Sequence, residues 1–565
     1  MADAGDGLAP RPLARAAAIT ALGILAATLI YAWLAWDRRW IADDGLIVVR
    51  AARQILAGNG PVYSAFERAE PTTSTIWLWL VAACGWVTGG NVARLAVGAG
   101  GVLAVGGLAI ALDATRRFHR RNGHTGVLAP AGALVVLGVF PFWDFATSGL
   151  ETGLALCWIA TIWWLLGALG PDSSRRYLAG FAFVVGLGPL VRPDFAAVTA
   201  VFAAAGWLIV RPPWRRALGL AGCAIALPAL YELFRAGYYG ALVPLPAIAK
   251  SATSAEWARG FTYLTQFVKP HLLYVPIALL AAAVALDRRR LVPRSAVVLA
   301  APITAAVVLA GFVIRVGGDF MHGRMLLPST LLVIAPALVL PLRRATAPLV
   351  VAVALWAAFV GHRFYDRSQR IYHDERADYE RWTQQRNPID EAAYVGVPPG
   401  VMAKVAQAIR DHQPLLIDDA GTQAVMNPGY HVPVIVVAGR LGVGGAIAPL
   451  DGIVVDVFGL ANPLGARITL TQPGKIGHEK ALSWVWVLAD FAAPAAALNE
   501  SPAAIAAARH AMTCGALAEL LASVRAPLTP ARFWANLTGA VARTRLVIPA
   551  DPIAAERAFC APEST

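Results

Sequence analysis

The chain carries little charge for its length. Asp, Glu, Lys and Arg together make up 15% of its 565 residues, whereas 58% of the residues are hydrophobic. A soluble domain of average composition has roughly 25% charged residues. The shortage of charge, together with several long apolar runs, excludes an ordinary soluble protein and predicts a polytopic α-helical membrane protein.

Common cofactor and metal motifs are also missing. The chain has no HExxH, no paired CxxC and no phosphate-binding P-loop, so we expect no tightly bound zinc or nucleotide, although a divalent cation is left open. Cysteine is scarce. Cys84, Cys157 and Cys223 lie in apolar segments, where we expect them only to pack, whereas Cys514 and Cys560 could form a disulfide if their region lies outside the cell.

The charges that are present fall into short basic clusters between apolar runs. The net charge is +13, and the clusters include "RRFHRR" (116–121), "RPPWRR" (211–216) and "DRRR" (287–290). Short loops rich in Arg and Lys are typical of the cytoplasmic side of a membrane protein. We therefore interpret the bilayer, and not a nucleic acid, as the partner of these charges.

Loop charge then sets a topology of about eleven transmembrane helices. A span needs about twenty apolar residues, and the candidates lie near 16–36, 93–112, 126–143, 151–169, 177–191, 195–210, 217–234, 271–286, 296–314, 324–341 and 347–362. A twelfth apolar stretch (74–90) contains three tryptophans and is assigned as a re-entrant or interfacial helix, because a further crossing would put "RRFHRR" outside. The N-terminus is then cytoplasmic.

From about residue 363 the apolar runs shorten and Pro and Gly become frequent. We predict two domains, a transmembrane domain (1–362) and a soluble α/β or α+β domain (363–565) on the outer face. Short buried strands are predicted within 414–419, 432–439, 451–457 and 484–490, and helices at 501–512 and 515–524.

An acidic pair follows the first span directly. Asp43 and Asp44 precede "GLIVVRAARQIL", which is predicted to be an amphipathic helix. One of the two carboxylates could simply cap that helix. Two adjacent carboxylates exceed what a cap needs, and they could instead serve chemistry on a sugar at the membrane surface.

A glycine-rich outer loop, "GGDFMHGR" (317–324), brings Asp319, His322 and Arg324 close together in sequence. Arginine at the start of a span could hold a phosphate in a bidentate manner. The alternative is an Asp–Arg pair that only fixes the loop, and a lone histidine is usually structural.

Other polar residues lie at the predicted outer ends of spans. Arg192 and Asp194 flank Pro193, and charges this close to hydrocarbon usually pair or act. Arg235, Tyr238, Tyr239 and Lys250 could bind a sugar phosphate, although interfacial tyrosines are ordinary belt residues.

The segment "DFATSGLE" (144–151) could have a purely structural role. Ser148 is predicted to cap a helix, with Glu151 three residues later as in a capping box. The role of Glu151 itself is left open.

Carboxylates and cations at the outer boundary suit a lipid-linked phosphosugar, whose phosphate lies at headgroup depth. Cations would stabilise the leaving phosphate, and a carboxylate would serve the acceptor hydroxyl or the charge developing on the sugar. A transporter or flippase would instead need charges deep within several spans. A scaffold that binds cell-wall glycan would not need the acidic pair at all.

Ordered blocks of sequence identify a family resemblance. They include "RRWIADDGLIVVR", "DFATSGLETGL", "LVRPDFA", "GYYGALVP", "GGDFMHGRMLL", "GLANPL", "IGHEK" and "SVRAPLTPARF", running from residue 38 to about 533. In these blocks the chain resembles the actinobacterial membrane arabinofuranosyltransferases of the AftB type, which have the GT-C fold.

The resemblance implies a donor, an acceptor and a site. The donor would be decaprenyl-phosphoryl-arabinose, or another polyprenyl-phosphate sugar, and the acceptor the non-reducing ends of cell-wall arabinan in arabinogalactan and lipoarabinomannan. The product would be a terminal β-(1→2) linkage made on the periplasmic side. Asp43 and Asp44 match the acidic motif of the first outer loop, and Arg324 matches an arginine near the lipid phosphate. A β-linked donor and a β product imply retention, so an Asp would act as nucleophile or ion-pair stabiliser instead of base.

Overall fold

A computed structural model describes residues 11–250, 255–286, 292–365, 374–397, 399–470, 477–494 and 499–561. The first part of the chain is helical. Its helices are α1 (Arg11–Asp37), α2 (Asp43–Leu56), α3 (Thr75–Thr88), α4 (Val92–Arg121), α5 (Ala133–Gly138), α6 (Pro141–Asp144), α7 (Thr152–Ala168), α8 (Arg175–Gly186), α9 (Gly188–Val191), α10 (Ala196–Val210), α11 (Trp214–Tyr239), α12 (Leu245–Ala249), α13 (Trp257–Val268), α14 (Tyr274–Leu286), α15 (Pro293–Arg315), α16 (Leu327–Ile334) and α17 (Ala347–Tyr365).

Six helices of the described residues are long and apolar enough to cross a membrane. They are Leu13–Asp37, Val92–Arg121, Pro193–Val210, Trp214–Tyr239, Pro293–Arg315 and Ala347–Tyr365. Shorter apolar helices occupy Thr75–Thr88, Thr152–Ala168, Tyr274–Leu286 and Arg324–Ala337. The predicted class, a helical membrane protein with a C-terminal α/β domain, is confirmed, whereas the count of eleven spans stays a prediction.

Two of the predicted spans contain a short strand as well as helices. Segment 126–143 contains α5, α6 and a short strand β1 (Leu128–Ala129), and segment 324–341 contains α16, two 3₁₀ turns (Arg324–Leu326 and Ala335–Ala337) and a strand β2 (Leu340–Pro341). The strands pair in antiparallel fashion, with Leu128 opposite Pro341. Each segment contains prolines, such as Pro130 and Pro336, which cannot donate the helical hydrogen bond and therefore interrupt an α-helix.

Helix α3 has 14 residues, a length of about 21 Å, shorter than the ~30 Å hydrocarbon core. Its three tryptophans differ in exposure. Trp79 and Trp86 are exposed, whereas Trp77 is buried and donates its indole N–H to the carbonyl of Gly149 at 2.8 Å. The interfacial position of 74–90 stays a prediction.

The later part of the chain has helices α18 (Glu375–Thr383), α19 (Val401–Arg410), α20 (Leu441–Ile447), α21 (Trp484–Phe491), α22 (Pro502–Ala511), α23 (Gly515–Arg525), α24 (Pro530–Arg545) and α25 (Pro552–Cys560). Its sheet contains β3 (Leu415–Asp418), β4 (Gln423–Ala424), β5 (Val434–Ala438) and β6 (Ile453–Asp456), in the order β4-β3-β5-β6. Strands β3, β5 and β6 are parallel, and β4 joins β3 in antiparallel fashion.

Three of the four strands predicted from the sequence are present, but the fourth prediction is wrong. Residues 484–490 lie in α21, whose apolar residues are buried. A short continuous apolar run has no clear period, so it fits a buried strand or a buried helix equally well. The predicted helices 501–512 and 515–524 are confirmed as α22 and α23.

The C-terminal domain docks on α2, which lies directly after the first span. Arg50 of α2 is buried and donates hydrogen bonds to the carbonyls of Gly445, Ala448, Pro449 and Gly452. Because a buried guanidinium needs several acceptors to offset its desolvation, this network fixes the position of α2 against α20.

A disulfide joins Cys514 to Cys560 and so connects the start of α23 to the end of α25. Cys84, Cys157 and Cys223 are free.

Candidate active site

The acidic pair opens helix α2, as the sequence indicates, but neither carboxylate caps it. Ala42 takes the N-cap position, and no side chain makes a capping hydrogen bond. Asp43 instead accepts a hydrogen bond from the backbone N–H of Val443 in α20, at 2.8 Å. The cap alternative is therefore wrong, and the C-terminal domain contributes to the surroundings of Asp43.

Burial raises the pKa of Asp43 to about 7, and the neighbouring charge of Asp44 adds to the rise. The backbone amides of Val443 and Gly442 act in the opposite direction. Asp43 is therefore neutral in a large fraction of molecules near neutral pH.

Asp44 lines a cavity of about 190 Å³, which we call the basic cavity. Its polar lining combines three cations, three carboxylates and a run of hydroxyls: Arg192, Lys250, Arg324, Asp44, Glu151, Asp194, Thr72, Thr73 and Ser74. Among the predicted binding residues, Arg192, Lys250 and Arg324 are thus brought together with Asp44.

Ion pairs hold two of these cations in place. Arg192 contacts Glu151 at 2.8 Å and Asp194 at 3.0 Å, and Arg324 contacts Asp319 at 2.7 Å. Burial by itself would raise the pKa of Asp319, but Arg324 and Lys250 together hold it below its usual range. Asp319 therefore stays ionised and orients Arg324 from behind the cavity.

Lys250 differs from the two arginines. Within the described part of the chain its side chain makes no hydrogen bond or ion pair, yet the residue lines the basic cavity. Its ammonium group is available to an anionic ligand.

His322 does not line the basic cavity. Its ring is buried between Phe140 and Phe145, at centroid distances of 4.9 and 4.7 Å, and its Nε2 lies 3.3 Å from the carboxylate of Asp144. Asp144 also accepts from Arg38, whose charge outweighs burial and helps to lower the pKa of Asp144 to about 2. The network ties together the three loops that carry the blocks "DRRW", "DFATSGLE" and "GGDFMHGR".

Arg235, Tyr238 and Tyr239 are also placed away from the basic cavity. Arg235 pairs with Glu70 at 2.7 Å, Tyr239 donates to the carbonyl of Pro61 at 2.7 Å, and the ring of Tyr238 stacks on that of Phe234. These residues hold the loop before α3 against α11, and they stay sequence predictions as ligand contacts.

The capping box predicted at 148–151 is wrong as well. Helix α7 begins at Thr152 without a side-chain cap, and Ser148 donates to the carbonyl of Phe145 at 3.1 Å. Glu151 is instead a partner of Arg192.

A second cavity, of about 490 Å³, lies on the other side of the acidic pair and reaches the C-terminal domain. We call it the aromatic cavity. Its lining joins carboxylates to aromatic rings: Asp43, Asp44, Glu375, Asp378, Asp419, Phe320, Tyr379, Trp382, Phe458 and His478, with Arg440. Arg440 lies over the ring of Trp382 at 4.5 Å. Aromatic faces beside carboxylates can pack against a sugar ring and accept hydrogen bonds from its hydroxyls.

Sequence reasoning did not identify most of this second cavity. Its residues come from the loop after α15, from α18 and from the loops after β3, β5 and β6, and no local motif connects them. In the basic cavity, by contrast, the hydroxyl residues of "PTTS" (71–74) could have been identified from the sequence. Three hydroxyl residues follow a proline there, just before an apolar helix.

Possible metal ligands lie away from the acidic pair. In the described ranges, two groups of three donor side chains come close together, namely His510, Cys514 and Cys560, and Asp144, His322 and Asp374. The two cysteines form the disulfide, and Asp144 is bonded to Arg38. Neither group includes Asp43 or Asp44.

Comparison with known proteins gives consistent matches over nearly the whole chain. Residues 418–556 match the AftB family C-terminal domain. The chain is 34% identical to the terminal β-(1→2)-arabinofuranosyltransferase of Mycobacterium tuberculosis, over 94% of this chain and 96% of the relative. It is 33% identical to the protein of the same name from Corynebacterium glutamicum, over 93% of this chain and 85% of the relative.

Among solved structures, the chain is similar to ArnT from Cupriavidus metallidurans bound to undecaprenyl phosphate. The TM-score is 0.40 at 16% sequence identity, covering 77% of this chain and 89% of that chain.

Proposed function

Because the chain belongs to the family of terminal β-(1→2)-arabinofuranosyltransferases, and is therefore a membrane glycosyltransferase, we propose that it transfers arabinofuranose from decaprenyl-phosphoryl-arabinose to the non-reducing ends of cell-wall arabinan. The observation that carries this proposal is the position of Asp44, which lines both the basic cavity and the aromatic cavity. A transferred sugar must touch a donor site and an acceptor site at once.

The basic cavity suits the donor. Its cations, Arg192, Lys250 and Arg324, would bind the phosphate and stabilise it as the leaving group. The aromatic cavity suits the arabinan end, because its rings and carboxylates match the apolar faces and hydroxyls of a sugar chain.

The chemistry would occur beside Asp44. The bond between the anomeric carbon and the phosphate breaks, and the phosphate keeps the electron pair. A negative carboxylate stabilises the positive charge that develops on the sugar. The 2-hydroxyl of the acceptor forms the new bond to that carbon, and its proton passes to the departing phosphate. No metal or other cofactor is assigned a part in this step.

The proposed site faces the periplasm, as does the C-terminal domain. Helix α4 begins beside that domain, where Arg94 pairs with Asp390 at 2.6 Å, and ends 30 residues later at the cluster 116–121. Its length of about 45 Å matches the full thickness of a bilayer. The positive-inside rule then puts the cluster in the cytoplasm and the C-terminal domain outside. The Cys514–Cys560 disulfide fits an oxidising compartment.

An in vitro transfer assay tests the proposal. Purified full-length protein is incubated with synthetic decaprenyl-phosphoryl-arabinose and an arabinose oligosaccharide, and the elongated product is measured. We expect transfer by the wild type, with at least about a hundredfold loss in Asp44→Asn and in Arg324→Ala, since each removes a charge that acts on the transition state.

Asp411→Asn is the matched control, because Asp411 is an exposed carboxylate that lines neither cavity. Its rate should equal that of the wild type. Absence of transfer by the wild type, or full activity of Asp44→Asn, would contradict the proposal.

A further inference from the structure

The loop before α3 contains two buried hydroxyls that have no hydrogen-bond partner among the residues that the structure describes. They are the side-chain oxygens of Thr72 and Ser74, and the two residues are only 6% and 3% exposed. A buried hydroxyl without a partner has lost its hydrogen bonds to water without replacing them, which destabilises the folded state. Such groups are rare in native proteins and indicate a missing ligand or a strained site.

Ser74 is unusual in a second respect. It occupies the N-cap position of α3, but its side chain makes no capping hydrogen bond. A serine at this position normally accepts a hydrogen bond from an amide of the first turn. Within the described residues the hydroxyl makes no hydrogen bond, so no side chain caps the amides of the first turn.

Those amides lie at the positive end of the helix. The N–H of Leu78 bonds to the carbonyl of Ser74 at 3.2 Å, so the N–H groups of Thr75, Ile76 and Trp77 precede the helix's own hydrogen-bond ladder. The dipole of a 14-residue helix adds to their attraction for an anion.

Of these groups, the two hydroxyl residues line the basic cavity, and the first turn of α3 follows them directly in the chain. Thr72 and Ser74 line it together with Lys250 and Arg324, and Lys250 makes no ion pair within the described ranges. Hydroxyl groups and cations that line one small cavity, next to the positive end of a helix, match the oxygens of a phosphate, which only accepts hydrogen bonds when fully ionised.

We propose that residues 72–74 and the first turn of α3 form a phosphate-binding element, in which the hydroxyls of Thr72 and Ser74 donate to the phosphate of a polyprenyl phosphate. This inference rests on the proposed donor. The same element would hold the phosphate of the donor before transfer and of the polyprenyl phosphate product afterwards, opposite the cations that stabilise the leaving group.

The test compares binding by full-length wild type and by the double variant Thr72→Val/Ser74→Ala. Three probes are titrated, namely decaprenyl phosphate, dephosphorylated decaprenol and inorganic phosphate. We expect the variant to lose affinity for decaprenyl phosphate by about tenfold or more, since hydrogen bonds to charged groups are the strong ones. Its affinity for decaprenol should be unchanged.

Thermal stability of the ligand-free protein separates a binding role from a structural one. Replacing unpartnered buried hydroxyls by apolar groups of the same shape is neutral or stabilising, so the Tm of the variant should equal or exceed that of the wild type. Ser329→Ala is the matched control, because its hydroxyl is also buried without a partner but does not line the cavity. It should leave all three affinities unchanged.

Several outcomes would overturn the inference. They are unchanged affinity for decaprenyl phosphate in the double variant, an equal loss for decaprenol, or a lowered Tm of the ligand-free variant. Complete competition by millimolar inorganic phosphate would assign the element to free phosphate and not to the lipid.

The experiment also shows which proposal has failed. If the wild type transfers arabinose and the double variant binds decaprenyl phosphate normally, only this inference fails. If the wild type binds no decaprenyl phosphate, the proposed donor itself fails.

Discussion

At the scale of single residues, adjacent positions in the sequence have different surroundings. Asp43 accepts a hydrogen bond from Val443 of the C-terminal domain, and burial raises its pKa to about 7. Asp44 accepts none from the described residues and lines both cavities. In the proposed reaction Asp44 is the residue that meets the sugar, whereas Asp43 belongs to the contact between α2 and α20.

The raised pKa of Asp43 predicts a pH-dependent stability. In the unfolded chain an aspartate titrates near pH ~4, whereas the folded protein holds its proton up to about pH 7. Between these values the unfolded state releases the proton first, so the contribution of Asp43 is present below pH ~4 and is lost as pH rises to 7. The slope is at most about 1.4 kcal/mol per pH unit.

The measurement is the Tm of ligand-free Asp43→Asn relative to the wild type across pH 4 to 8. The substitution keeps an oxygen for the Val443 amide but cannot ionise, so its relative Tm should rise with pH and level off above pH ~7. Asp411→Asn, at an exposed site, should show a constant difference. A constant difference for Asp43→Asn as well would mean that Asp43 titrates normally.

At the scale of elements, the contact between α2 and α20 decides whether the site is complete. Gly442 packs so closely on α2 that a Cβ atom there would lie 2.0 Å from the backbone oxygen of Asp43. Such a distance requires the two elements to move apart, because backbone atoms cannot yield as a flexible side chain can.

We therefore expect Gly442→Ala to destabilise the protein by about 1–3 kcal/mol, the usual range for overpacking, and to reduce transfer by displacing the acidic pair. Denaturation and the transfer assay measure the two effects. Gly396→Ala provides a control in the same part of the chain, because a Cβ atom there meets nothing within 4 Å. Equal stability and activity of the two variants would show that the α2–α20 contact is not tight.

The type of an element was predictable where its sequence pattern fits only one kind of secondary structure. The amphipathic pattern of 45–56 predicts α2, and the β-branched runs that end in Asp or Gly predict β3, β5 and β6. The run at 484–490 forms α21 instead of a strand, since tertiary packing decides between two buried states that share an apolar sequence. Prolines within 126–143 and 324–341 predict interruptions, but hydropathy averaged over a window does not register them.

At the scale of the whole molecule, the proposed topology rests on helix α4. Its first turn contacts the C-terminal part through Arg94 and Asp390, and its last turn carries His119, Arg120 and Arg121. The proposed topology therefore depends on the side at which this one helix ends.

Reporter fusions check the topology. A reporter fused after Arg121 should be cytoplasmic, because the positive-inside rule retains the cluster 116–121 in the cytoplasm, and a reporter fused after Ala561 should be extracytoplasmic. A reversed pair of signals would place the acidic pair in the cytoplasm, away from any periplasmic acceptor.

The sequence by itself determined the membrane class, the family resemblance, the acidic pair and the cations of the basic cavity, because hydropathy, ordered motifs and charge at span ends are local properties. It also placed His322, Arg235, Tyr238 and Tyr239 among the ligand contacts. In the structure His322 lies against Asp144, and Arg235 pairs with Glu70. Tyr238 stacks on Phe234, and Tyr239 donates to the carbonyl of Pro61.

Only the tertiary structure decided which polar groups face a cavity and which satisfy one another. The partners of His322 and Arg235 are 178 and 165 residues away in the chain, and the aromatic cavity joins residues from Asp43 to His478. Sequence shows which charges lie near the membrane surface. Whether a buried charge is paired within the protein or left for a ligand depends on distances of a few ångströms, which only the folded chain sets.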